Sequence, residues 1–73
     1  MREKVLAICM SVDDSIDFTS TELIDGGLID SVTLVEIATE LMDELNIDIP
    51  YEEITPENFN SVDAITSLVE RYV

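Results

Sequence analysis

Apolar residues recur along this chain with the period of a helix rather than of a strand. Between Glu3 and Val12, the residues Val5, Leu6, Ile8, Cys9 and Val12 fall on one side of a wheel drawn at about 100° per residue. The spacing predicts a first helix there, packed by one face. From Ser31 to Asn46 a longer period runs, in which Leu34, Ile37, Ala38, Leu41 and Leu45 gather into a narrow stripe. Asp30 stands at the N-cap of this second helix, where its carboxylate can accept from the free amides of the first turn. The opposite face carries Val32, Val35, Glu36, Thr39 and Asp43, with Met42 at its edge. Apolar groups there face water inside a rim of acids, as on a docking surface.

After Asn46, the alternation of Ile47-Asp48-Ile49-Pro50 reads as an extended connector that proline keeps out of a helix. Thr55-Pro56-Glu57-Asn58-Phe59 then supplies a capping residue, a proline at the first helical position and an acid in the first turn. A short third helix anchored by Ile54 and Phe59 is expected. Asn60 or Ser61 caps the last helix, whose face is Val62, Ile65, Leu68, Val69, Tyr72 and Val73, with Arg71 near the negative pole. No segment alternates over enough residues for a sheet, and no repeat is visible. The expected fold is all-α: one domain over residues 1–73, a small helical bundle with three main helices and one short third helix.

Residues 13–27 show neither period cleanly and are expected to form a long loop between helices one and two. A loop of about fifteen residues is uncommon in a small domain unless it is functional or pinned by its own side chains. Phe18, Leu23 and Ile24 are the expected pins, with Leu28 and Ile29 tucked against the core. Asp13, Ser15 and Asp17 occupy the first, third and fifth places of a calcium-loop frame, but the frame fails. Phe18 stands where glycine is required, and Ile24 where a bidentate glutamate is required. The clustered carboxylates are expected to attract divalent cations only weakly, as relief of charge.

Composition narrows the function. The chain has 73 residues, 17 acids, 3 basic residues and a formal net charge of -14. Arg2, Lys4 and Arg71 lie at the ends, so every acid except Glu3 belongs to a stretch, residues 5–70, without a single Lys or Arg. Such a chain repels nucleic acid and anionic membranes and attracts proteins with basic patches. Cys9 is the one cysteine and there is no histidine, which excludes an internal disulfide and histidine acid/base chemistry. Cys9 is read as a small buried hydrophobe and no metal site is expected. The first apolar run is too short for a signal peptide or membrane span, so the expected address is cytoplasmic and the expected state monomeric.

With no nucleophile beside a base, no catalytic residue can be assigned. Ser31, at the mouth of the longest helix behind Gly26-Gly27, is better placed as a substrate of another enzyme. A phosphate attached there faces free amides and the positive pole of the helix, although Asp30 repels it and the attaching enzyme must supply cations.

Gly27-Leu28-Ile29-Asp30-Ser31-Val32, the helix carrying Val35, Glu36 and Ile37, and the closing Asn46-Ile47-Asp48-Ile49-Pro50 together resemble the acyl carrier protein family, whose signature is Asp-Ser-Leu at the start of its second helix. The resemblance covers essentially the whole chain. It implies that Ser31 receives a 4'-phosphopantetheine arm from coenzyme A, through a phosphodiester bond made by a Mg-dependent phosphopantetheinyl transferase. The arm's thiol then carries an acyl or aminoacyl group as a thioester. It further implies that Val32, Val35, Glu36 and Asp43 meet the basic patches of partners: the transferase, an acyl or aminoacyl ligase, and downstream acyltransferases or synthases; Asp30, Thr39 and Met42 complete the expected docking surface. Val32 replaces the commoner leucine, and the segment from Ile54 to Ser61 looks more like specialised carriers, D-alanyl carriers among them, than like housekeeping fatty-acid carriers. The expected role is in fatty-acid, polyketide or related biosynthesis; the alternatives are a D-alanyl or other aminoacyl carrier, or an unmodified acidic interaction module.

Overall fold

The computed structural model describes residues 1–73 and contains three α-helices: α1 (Arg2–Val12), α2 (Ser31–Leu45) and α3 (Val62–Glu70). There are no strands. α1 packs against both α2 and α3, so the least polar face of the first helix is the hub of the bundle. Val5, Ile8 and Cys9 are buried on that face. They meet Leu34, Ile37, Ala38 and Leu41 from α2 and Val62, Ile65, Leu68 and Val69 from α3. Sixteen apolar residues form one continuous core, and no polar or charged residue is buried. That division is what a chain of this size requires, since a small core leaves no room for desolvated charge. Cys9 is fully buried, and burial pushes its thiol up to about 11. It remains a neutral, unreactive core residue.

The caps follow the chemistry of the chain. Asp30 Oδ1 accepts from the Thr33 amide at 2.8 Å and opens α2, while Ser61 Oγ accepts from the Ala64 amide at 3.0 Å and opens α3. Asn46 closes α2 in the left-handed conformation, its φ of 53° among the positive values that asparagine tolerates.

The expected short third helix is a single 3₁₀ turn, Pro56–Asn58, and it is preceded by a second 3₁₀ turn, Tyr51–Glu53, that the pattern did not predict. Pro56 keeps the two turns apart. A residue before proline is driven out of the α region, and Thr55 adopts φ -124°, ψ 157°. The Asn58 side chain donates to the Glu53 carbonyl at 2.8 Å and ties the two turns together. Thr55 occupies the capping position without a side-chain hydrogen bond. Phe59 is fully buried as expected, and Ile54 packs against the core from a half-buried position. α3 ends at Glu70, one turn earlier than the apolar pattern implies. Tyr72 is therefore half-buried and Val73 exposed, and neither extends the helical face.

The loop from Asp13 to Asp30 is held from within by turns. Asp13 Oδ1 accepts from the amide and hydroxyl of Ser15, and Asp17 Oδ1 does the same for Thr19. These hydroxyl and amide bonds lower both carboxyl pKa values. Phe18, Leu23 and Ile29 are buried, and Ile24 is half-buried. Leu28 departs from expectation: it is 43% exposed. Successive side chains in this turn point apart, so only Ile29 of the pair reaches the core.

Phe59→Ala should cost about 3–5 kcal/mol, since it empties the largest fully buried site, and urea denaturation measures the loss. Because the central stretch holds acids without cations, salt or millimolar Mg should raise the melting temperature. A midpoint unmoved by both would show that self-repulsion does not limit stability.

Candidate functional site

The site is built where the long loop becomes α2. Gly26 and Gly27 make the turn. The Gly26 amide donates to the Glu22 carbonyl at 2.6 Å, and a Cβ on Gly26 would lie 2.6 Å from that same oxygen. Gly27 has a φ of 77°, in the left-handed region that a side chain disfavours. The Leu23 carbonyl then accepts from both the Leu28 amide at 3.0 Å and the Ile29 amide at 2.9 Å. Ile29 is driven into the core, Asp30 caps, and Ser31 follows as the first residue of α2.

Ser31 is exposed and its hydroxyl makes no hydrogen bond. Ser11, Ser15, Ser20 and Ser61 each commit theirs, to the Ile8 carbonyl, Asp13, the Glu22 amide and the Ala64 amide respectively. Ser67 makes no such bond but sits inside α3. Ser31 is thus the serine that combines a free hydroxyl with a helix start. Asp30 beside it is held below the ordinary carboxylate range, first by the Thr33 amide and then by the Thr33 hydroxyl. Its negative charge persists at neutral pH at the residue adjoining Ser31.

The remaining residues expected at the surface are brought together by helical periodicity. Ser31, Val35, Thr39 and Met42 succeed one another at intervals of three or four, with Val32, Glu36 and Asp43 beside them. Val32 is 66% exposed and Val35 53%, large values for valines on a helix with a well-buried opposite face. Glu36, Thr39 and Asp43 are exposed, and Met42 is half-buried against the core. From Ser31 to Asp43 the strip runs about 18 Å at the helical rise per residue. The Thr39 hydroxyl donates to the Val35 carbonyl at 2.8 Å, so its polar group is engaged within the helix.

Three features were not legible as part of this surface from sequence. Leu28, exposed three residues ahead of Ser31, adds an apolar group at the head of the strip. An open cleft between the end of α1 and α2 is lined by Ser11, Val12, Val35, Glu36, Thr39, Glu40 and Glu44, so the face curves toward α1. The signal for it was the spacing of Glu36, Glu40 and Glu44 by four. Asn60 is the third: its side chain grips the loop that leads to Ser31. No group of three or more ligating side chains is arranged to hold a metal ion, and no helix is long and apolar enough to cross a membrane.

Comparison with known proteins places these observations. The family described as the phosphopantetheine attachment site matches residues 1–69, and the chain belongs to that family of phosphopantetheine-binding carriers. A D-alanyl carrier protein of Streptococcus suis (strain 05ZYH33) is 30% identical over 69 residues, covering 92% of this chain and 87% of that protein. No solved structure matches the chain. The protein is a carrier that holds acyl or aminoacyl groups on a covalently attached 4'-phosphopantetheine arm. Carriers of this kind are non-catalytic and serve phosphopantetheinyl transferases, ligases and synthases. The exposed, unpartnered hydroxyl at the head of α2 fits such an arm, since nothing in the fold has to move to admit it.

Asp30 gives the site a pH signature. A carboxyl whose folded pKa lies below its ordinary value of 3.8 stabilises the fold fully above that value and loses the contribution as pH falls through the folded pKa. The stability margin of wild type over Asp30→Ala should therefore be constant above about pH 5 and shrink toward zero in stronger acid. Denaturation of both proteins across that range measures it, and a margin that grows on acidification would contradict the cap.

Proposed function

We propose that Ser31 is the point at which the arm is attached, and that α2 presents the carrier to the enzymes that load and unload it. The observation that carries this reading is the free, exposed hydroxyl of Ser31 at a helix start, in a chain of the phosphopantetheine-binding family. Once bound, the arm supplies the thiol that holds the cargo as a thioester. The chain's own residues do the rest. Ser31 Oγ is the oxygen that takes the phosphodiester bond. The ionised Asp30 draws a cationic enzyme surface toward it. Val32 and Val35 offer apolar contact, flanked by Glu36, Thr39, Met42 and Asp43.

The domain performs no catalysis itself. It has no histidine, its cysteine is buried and neutral, and the carboxylate adjoining Ser31, that of Asp30, is engaged by the Thr33 amide and its pKa lowered, so the transferase must remove the hydroxyl proton. The relative named as a D-alanyl carrier protein supports an aminoacyl cargo, loaded by a ligase, over a fatty acyl or polyketide one. The transferase's need for coenzyme A fits a cytoplasmic address.

Incubation with coenzyme A, Mg and a broad-specificity phosphopantetheinyl transferase should add one phosphopantetheine, read by mass spectrometry, and Ser31→Ala should add none. A wild type that several transferases leave unchanged would overturn the assignment. Val35→Asp or Glu36→Lys should slow arm attachment at least about tenfold without unfolding the chain. If Ser31→Ala kept full activity in cells, an unmodified interaction module would be the better description.

A further inference from the structure

We propose that Asn60 is a positioning residue for arm attachment, fixing the segment that delivers Ser31; the inference rests on Ser31 being the attachment point. Asn60 is remote in sequence from the site, yet four hydrogen bonds join it to the loop. Its Oδ1 accepts from the amides of Ile24 at 2.9 Å and Asp25 at 3.2 Å. Its Nδ2 donates to Asp25 Oδ2 at 2.9 Å. Its backbone carbonyl accepts from the Leu23 amide at 2.8 Å. Residue 60 stands between fully buried Phe59 and Ser61, the cap of α3, so its own position is set by the core and by a helix end.

The hold is passed on through Leu23. Its carbonyl receives both the Leu28 and Ile29 amides, so fixing residues 23–25 fixes the backbone immediately ahead of Asp30 and Ser31. Only a side-chain amide meets all the demands at position 60. It must accept from two backbone N–H groups and donate to a carboxylate. Aspartate would accept but not donate, and would set a second negative charge against Asp25. Alanine would leave two amides without their partner. A loop of this length, otherwise held by local turns and by the burial of Phe18, Leu23 and Ile29, thus has the backbone of its far end tied across the fold at the place where another enzyme must find a single oxygen.

The test measures transfer of the arm from coenzyme A by a purified Mg-dependent transferase, separating kcat from KM for the protein substrate. Asn60→Ala and Asn60→Asp should each lower kcat about tenfold, with KM within about twofold because the face of α2 is untouched. The double exchange Asp25→Asn with Asn60→Asp keeps the net charge and restores a donor facing an acceptor, so it should recover most of the rate. Ile65→Val, a core truncation away from the loop, should lower the melting temperature and leave kcat alone. Amide exchange at Leu28 and Ile29 should be about tenfold faster in Asn60→Ala.

Wild-type kcat in Asn60→Ala, a double exchange no faster than Asn60→Asp, or an equal slowing by Ile65→Val would overturn the inference. Should Asn60→Ala fail to fold, the comparison of Asn60→Asp with the double exchange decides between the same two outcomes. A wild type that takes no arm defeats the Ser31 assignment, whereas a wild type that takes it alongside an unaffected Asn60→Ala defeats only the role of Asn60.

Discussion

The connection of residues 23–25 to Asn60 is the constraint on which the functional end of this small fold depends. Long loops are entropically costly to hold and contribute little core of their own. Here Phe18, Leu23 and Ile29 enter the core, and the backbone between the last two is fastened to the segment that precedes α3. Without that tie, the start of α2 would be set by the burial of Ile29 and Leu34 and by the cap at Asp30, with the backbone of residues 24 and 25 left unfastened. With it, the exposed serine stands at a defined point between the loop and the helix.

The two faces of α2 are consequences of a single packing decision. Leu34, Ile37, Ala38 and Leu41 are buried against the other elements, and the helical period then obliges Val32 and Val35 to stand in water. A chain selected only for stability would place polar residues there. The valines are retained beside Glu36 and Asp43, and the open cleft toward α1 adds Glu40 and Glu44 to the same surface. Apolar contact and negative charge are thereby offered together, and a partner must match both.

Charge explains why the surface is available. Arg2 is paired with Asp63 and Arg71 with Glu53, both pairs exposed and worth little to stability. They join the ends of the chain to the last helix and to the first 3₁₀ turn. The acids of α2 make no ion pair with either arginine. The unrelieved field expected to weaken the isolated domain is the same field that would draw a basic partner to it.

Sequence alone determined the three main helices, the centres of their buried stripes, the cap at Asp30, the burial of Cys9 and the candidacy of Ser31, because each of these follows from local periodicity or from hydrogen bonding within a turn. It also determined the exposed strip of α2, as the complement of a stripe whose burial was legible. What only the tertiary structure decided was where non-local partners meet. Asn60 reads as a helix cap until the loop is folded against it, after which its amide is engaged with residues more than thirty positions away. Leu28 could not be told from Ile29 until the double acceptance at the Leu23 carbonyl turned one outward. The expected short helix at Pro56–Asn58 closed as a single 3₁₀ turn, and the 3₁₀ turn at Tyr51–Glu53, which no capping pattern announced, is kept separate from it by the extended Thr55. Periodicity identifies which face of an element is buried. It carries no record of which distant residue completes a hydrogen bond, and that is what fixes Ser31 in place.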